Sequence, residues 1–298
     1  MVLQNMIALL RQGNKKALAR SISLVENEAA GYEQLLLGLE PNVTTNIIGV
    51  TGAPGAGKST LVDALIREFT SAGLHVGVLC IDPSSPFNMG AVLGDRIRMQ
   101  QWYNHPSVFI RSLASRGSLG GLTSAIIEIT ELMRTFPFDK IIVETVGIGQ
   151  SEVEIAALAD TTIVVFVPEA GDEIQSMKAG LMEVADIFVV NKSDRPGAEL
   201  FASNLHAILM LSSDPARKKL PIIKTVASGH VGINQLMEAI TRDAGLSGLT
   251  EKKSWLMAER AYRLIQKKML KGIDKKQLVE AVKNQKPFNL YRFVNQYV

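Results

Sequence analysis

The sequence predicts an α/β fold: a mainly parallel sheet with helices on both faces and a helical extension at each end. Two observations predict it. Seven short apolar runs alternate with amphipathic segments between residues 46 and 243. Runs of that length, each followed by a crossover helix, make strands buried on both faces. The polar motifs all fall where an apolar run ends, the edge at which parallel sheets bind ligands.

The elements follow in chain order. Residues 1 to about 40 read as helices: Leu9, Leu10, Ala17, Leu18, Ile22, Leu24 and Val25 recur at helical intervals, and Glu33–Leu39 forms a second short helix. Pro41 ends this region. Strands are expected at Ile47–Val50, Val76–Ile81, Val108–Leu113, Ile141–Glu144, Thr162–Val167, Ile187–Val190 and Ile222–Val226. Helices are expected at Lys58–Ser71, Gly94–Tyr103, Thr123–Phe136, Glu152–Ala159, Glu173–Glu183, Ala198–Leu211 and Ile233–Asp243. From about 250 the chain is helical again and more charged. There Trp255, Ala258, Tyr262, Ile265 and Met269 alternate three and four apart, a narrow seam suited to one partner helix. That partner is either the chain's own domain or a second copy. The expected domains are an N-terminal helical extension (1–42), a nucleotide-binding domain (43–248) and a C-terminal helical arm (249–298) with a dimerisation role.

Composition excludes several function classes. With 47% hydrophobic and 20% charged residues, an ordinary soluble globular protein is expected. A net charge of +3 is too small to argue for nucleic acid. One cysteine, Cys80, and four histidines give no disulfide framework and no zinc or nickel cluster. No apolar run reaches about 18 residues and no secretory signal opens the chain, so no membrane span is expected and the cytoplasm is the expected compartment.

The first strand leads directly into GAPGAGKST. Gly52, Gly57, Lys58 and Ser59 match G-x-x-x-x-G-K-[ST] between a strand and a helix, which makes the fold a P-loop NTPase. The loop of Gly52, Ala53, Pro54, Gly55, Ala56, Gly57, Lys58, Ser59 and Thr60 curls around phosphates, the glycines letting its backbone N–H groups point inward. The helix N-terminus adds partial positive charge. Lys58 is expected at the β and γ phosphates and the Ser59 hydroxyl on Mg²⁺.

The tetrapeptide NKSD closes the strand ADIFVV. Asp194 can accept hydrogen bonds from the N1–H and 2-amino group of guanine; adenine has no such pair of donors, and the acid would stay unpaired. Lys192 would lie along the base, and Asn191 would tie this loop to the phosphate loop. Ala227 and Ser228, at the end of the next strand, would offer backbone contacts to the guanine carbonyl. The expected ligands are therefore GTP and GDP with Mg²⁺. Glu144 ends the strand expected beside the phosphate loop, and Asp82 ends the second strand, so two acids converge on one cation. Gly147 can bring an N–H to the γ-phosphate. Lys58, Glu144 and Gly147 form the expected catalytic set. Arg96, Arg98 and Arg116 lie near the expected switch loops, and nothing selects one to compensate charge in hydrolysis. Slow turnover, raised by a partner, is the expectation.

Several segments carry a family resemblance: VTGAPGAGKST, IDPSSP at 81–86, LGDRIRM at 93–99, SRGSLGGL at 115–122, VETVGIGQSE at 143–152, NKSD, and ALARSISLVEN at 17–27. Over roughly residues 15–245 the chain resembles the MeaB-type GTPases, chaperones of adenosylcobalamin-dependent methylmalonyl-CoA mutase and related acyl-CoA mutases. Older naming calls such proteins lysine, arginine and ornithine transport kinases. The resemblance implies that residues 82–99 form a first switch, with Asp95 a metal ligand in it, and residues 144–152 a second. It implies a third switch over residues 168–180, with Asp172, Glu173, Gln175 and Lys178 as its polar members. It further implies a homodimer, a B12-dependent mutase as partner and the cobalamin adenosyltransferase as another. The chain departs from the family pattern at Asn88–Ala91, at Arg96–Ile97 and in its short C-terminal arm, places that bear on the partner more than on GTP. Other readings are a kinase of an amino-acid transport system, a nickel-insertion GTPase, for which one cysteine is a poor endowment, and a non-catalytic GTP-gated scaffold.

Overall fold

The computed structural model describes residues 2–82, 99–114, 123, 125–145, 151–170, 182, 184–246, 251–270, 272–285 and 289–297. The seven expected strands are present: β1 Asn46–Gly52, β2 Val76–Asp82, β3 Val108–Ala114, β4 Lys140–Glu144, β5 Thr161–Phe166, β6 Ile187–Val190 and β7 Ile222–Lys224. They form one sheet in the order β3-β2-β4-β1-β5-β6-β7, with every neighbouring pair parallel. β1, which carries the phosphate-loop motif, lies between β4 and β5. The fold is the α/β P-loop architecture.

Helices cover both faces because strand side chains alternate. Ile48 and Val50 of β1, with Val76, Val78 and Cys80 of β2, face α4 (Lys58–Ser71) and, further along the sheet, α8 (Ile233–Leu246). Their neighbours Ile47, Leu79, Ile81, Ile141 and Val143 face the other way. They pack with α1 (Val2–Arg11), α2 (Lys15–Glu26), α3 (Tyr32–Leu37), α5 (Ile126–Arg134) and α6 (Ser151–Leu158). The first helices are thus part of the cover of the sheet. Phe201, Leu205 and Leu209 of α7 (Ala198–Met210) pack on Val164, Phe166, Phe188 and Val190.

At the amino ends of the strands three aspartates set the register. Asp139 accepts from the His75 N–H, Asp160 from the Ile47 N–H and Asp186 from the Thr162 N–H, each at 2.8 Å. Each carboxylate precedes one strand and holds the start of its neighbour. Asp160 also pairs with the Arg134 guanidinium at 2.7 Å, with both side chains almost fully buried. A buried charge is tolerable only with such a partner.

Some expected boundaries shift for visible reasons. β7 stops at Lys224 because Val226 turns away to bridge Val231 in antiparallel fashion, and a 3-10 turn, Ala227–Gly229, follows. The N-terminal region holds three helices, since the chain turns at Gly13 (φ 77°) and Asn14 caps α2 by accepting from the Ala17 N–H. The described end of the expected helix 94–103 is a 3-10 turn, Gln100–Trp102, rather than an α-helix. It is tight because Gln101 and the Trp102 indole both donate to Asp63 Oδ1 on α4, at 2.8 and 2.6 Å. The rest of that helix, and nearly all of the expected helix 173–183, lie outside the described residues.

The chain divides into two compact units, Met1–Lys253 and Ser254–Val298. The second carries most of α9 (Glu251–Met269), then α10 (Lys275–Asn284) and α11 (Leu290–Val294), the last capped by the Asn289 side chain. The seam is exposed: Trp255 63%, Tyr262 57%, Ile265 55% and Met269 77%. Among the described residues no helix is long and apolar enough to cross a membrane.

Candidate nucleotide site

The site is built at the carboxyl ends of β1, β2, β4 and β6. β1 runs into residues 53–57, and α4 starts at Lys58. The loop curls because three glycines take φ values that side chains resist: Gly52 at 139°, Gly55 at 77° and Gly57 at 87°. At Gly52 a Cβ would sit 2.1 Å from the Val165 carbonyl oxygen, and at Gly57 2.4 Å from Asn191 Nδ2. Both positions are therefore closed to larger residues by space as well as by conformation. Lys58 is buried, and its ammonium donates to the Gly52 and Ala53 carbonyls at 2.8 and 3.0 Å. Of the other loop residues, Ala56 is buried, Ala53 half-buried, and Pro54, Gly55 and Thr60 are exposed.

Two carboxylates approach from neighbouring strands. Glu144 lies opposite Val50 on one side and Cys80 on the other. Asp82 is two residues beyond Cys80, so alternation puts both acids on the α4 face of the sheet. Both are buried, each 3% exposed. The Ser59 hydroxyl, in the first turn of α4, donates to Glu144 Oε1 at 2.7 Å. Just beyond, the Thr145 N–H donates to the Val50 carbonyl and the Thr145 hydroxyl to Thr51 Oγ1, which extends the β1–β4 junction past Glu144. Among the described residues no group of three or more His, Cys, Asp or Glu is placed to hold a metal ion by itself. A cation at Ser59, Asp82 and Glu144 would need further oxygens from a nucleotide. Asp95, Gly147, Arg96, Arg98, Arg116 and the four polar residues of the implied third switch lie outside the described residues.

The NKSD loop is fastened to the phosphate loop through Asn191, which is 2% exposed. Its Nδ2 donates to the Ala56 carbonyl at 2.9 Å, and its Oδ1 accepts from the Thr225 hydroxyl and the Ala227 N–H, both at 3.1 Å. Lys192 adopts φ 55° and reaches over to donate to the Gly55 carbonyl at 2.8 Å. Asp194 is exposed at the loop's rim. Ala227 and Ser228 sit in the 3-10 turn after β7. The Ala227 N–H, expected to be offered to a base, is already engaged by Asn191, so a base carbonyl there would have to share it.

Three polar contacts around the site went unforeseen. Thr225 orients Asn191, Asp63 anchors Gln101 and Trp102, and Glu169, in a 3-10 turn after β5, forms an ion pair with Arg195. The hydrogen bond from Arg195, aided by its charge and that of Lys192, holds the Glu169 carboxyl below the usual carboxylate range. Only Thr225 left a trace in the sequence, as a polar residue at the end of an apolar run.

Comparisons with known proteins follow the same outline. A family model described as "Methylmalonyl Co-A mutase-associated GTPase MeaB" matches residues 18–285. A GTPase of Pyrococcus abyssi is 48% identical over 244 residues, covering 80% of this chain and 75% of its own. The mitochondrial methylmalonic aciduria type A homolog of Caenorhabditis elegans is 38% identical over 207 residues, covering 64% of this chain and 52% of its own. The crystal structure of an LAO/AO transport system kinase superposes with a TM-score of 0.72 at 26% identity, covering 99% of this chain and 96% of its own.

The Gly57–Asn191 contact makes a sharp prediction. Gly57→Ala forces a Cβ against Asn191 Nδ2 at a left-handed φ, costing about 1–3 kcal/mol of strain or splitting the two loops. Calorimetry should find guanine nucleotide affinity reduced by at least about tenfold, with the far-ultraviolet dichroism of the fold retained.

Proposed function

This chain belongs to the MeaB family of methylmalonyl-CoA mutase-associated GTPases, and we propose that it gates adenosylcobalamin delivery to a B12-dependent acyl-CoA mutase and protects that enzyme. It is a GTPase of the P-loop fold. The observation that carries the gating role is the Ser59–Glu144 hydrogen bond. It joins the side chain that opens the phosphate-binding helix to the residue that ends β4. The second switch by family resemblance, residues 144–152, begins at that residue. A change at the phosphates is thereby felt at a segment a partner can read.

The roles follow from the chemistry of each group. The loop amides over residues 52–60 and the N-terminus of α4 would bind the phosphates, with Lys58 exchanging two carbonyl partners for phosphate oxygens. Asp194 would accept from the guanine N1–H and 2-amino group, Lys192 would lie along the base, and Asn191 would hold both loops in register. The all-oxygen set of Ser59, Asp82 and Glu144 fits Mg²⁺, which takes one or two carboxylates together with phosphate oxygens and water. When bound, Mg²⁺ neutralises charge on the β and γ phosphates. The Ser59 hydroxyl would withdraw its hydrogen bond from Glu144 as its oxygen turns to the cation, leaving the carboxylate to orient water. Hydrolysis would be slow in the chain alone and faster with the partner, because nothing in the sequence selects an arginine to compensate the charge.

The mutase is the proposed partner, and the adenosyltransferase a further one. Binding must differ between nucleotide states for the gate to work. The exposed heptad seam Trp255, Ala258, Tyr262, Ile265 and Met269 supports a homodimer through α9, paired with the same helix of a second copy. The cytoplasm is the proposed location.

Two measurements test this reading. Affinity of a methylmalonyl-CoA-type mutase for the protein should differ by about fivefold or more between GDP and a non-hydrolysable GTP analogue; equal affinity would exclude gating. With hydrolysable GTP labelled at the γ position, the label should reach water, whereas its appearance on protein would favour a transport kinase. For the dimer, sedimentation of Tyr262→Glu should give a monomer where the unaltered chain gives a dimer. A dimer that survives the change would remove α9 from the interface.

A further inference from the structure

Asp194 stands in a short turn with a cation on either side. Lys192 and Arg195 flank it, and the Arg195 N–H closes the turn on the Lys192 carbonyl at 3.0 Å. Each cation has a partner away from Asp194. Lys192 spends its ammonium on the Gly55 carbonyl. Arg195 pairs with Glu169, which arrives from the end of the adjacent strand β5. Among the described residues the Asp194 carboxylate makes no hydrogen bond or ion pair. Yet Asp194 lies close enough to Arg195 to add to the field that raises its pKa, after the larger effect of Glu169. Two acids therefore compete for one guanidinium, and Glu169 holds it.

Building on the guanine-reading role of Asp194, we infer that Glu169 is a positioning residue for base specificity. By engaging Arg195, it keeps the guanidinium from closing on the neighbouring carboxylate. Asp194 then keeps both oxygens available to the N1–H and 2-amino group of guanine. A carboxylate already bridged by arginine would have to surrender that bond for each nucleotide bound, and affinity would fall by the strength of the bridge. The pair is about half exposed, with side-chain exposures of 48% and 50%, so its influence is modest and falls with salt. Only guanine nucleotides should feel it, because adenine makes no use of the carboxylate.

The test is a double-mutant cycle on the full chain, with GDP and ADP affinities read by calorimetry at low and high salt. Glu169→Gln frees Arg195 to bridge Asp194, and GDP affinity should drop by about threefold at low salt, with little change in high salt or for ADP. Arg195→Gln should leave GDP affinity unchanged or tighter. The double variant should return to that value. If the two single changes weaken GDP equally and the double change does not restore it, the pair is merely structural and the inference is wrong. No effect of Glu169→Gln would overturn it as well. Asp194→Asn, measured alongside, separates the two levels: if it leaves the guanine preference intact, the base-reading role itself fails, whereas its loss with a flat cycle removes only the role of Glu169.

Discussion

One buried amide holds the nucleotide site together. Asn191 spends its three hydrogen bonds on three separate pieces of chain: the phosphate loop at Ala56, the end of β7 through Thr225, and the following turn at Ala227. A net hydrogen bond is worth about 1 kcal/mol, but orphaning its buried partners costs about 1–3 kcal/mol each. The geometry leaves Asn191 no substitute. Aspartate would lack the donor for the Ala56 carbonyl, and alanine would strand all three partners. Gly57 must be glycine partly because Asn191 Nδ2 occupies the space where a Cβ would go. The phosphate-loop motif and the NKSD loop are therefore one connected constellation.

That constellation is positioned from the far end of the sheet. Asp139, Asp160 and Asp186 each fix where a neighbouring strand begins. Parallel strands of similar length that start in register also end in register. Asp82, Glu144 and Asn191 consequently emerge at the same edge, and alternation decides which side of the sheet each acid faces. Hydrophobic packing on both faces supplies most of the stability, while these polar staples select the register in which it is realised.

Much of this was legible in the sequence. Strand positions followed from apolar runs bounded by polar motifs, and five of the seven strands end within a residue of where the pattern places them. β7 is shorter because Val226 pairs locally with Val231, a contact that hydropathy does not encode. The phosphate loop and NKSD were readable because their chemistry requires fixed residue types at fixed spacing. Asp63, Thr225 and the Glu169–Arg195 pair were not, because each joins residues far apart in the chain without a periodic signature. The tail seam was readable as a seam, and its residues Trp255, Tyr262, Ile265 and Met269 are exposed.

The central claim is that a single asparagine couples a phosphate cradle to a guanine-selective loop. The most direct measurement is the affinity of the full chain and of its Asn191→Ala variant for GTP and ATP with Mg²⁺, read by calorimetry. The account predicts a preference for GTP of about 100-fold or more in the unaltered chain, and a loss of at least about tenfold in GTP affinity in the variant. Equal binding of GTP and ATP, or a variant that binds GTP as tightly as the parent, would contradict it.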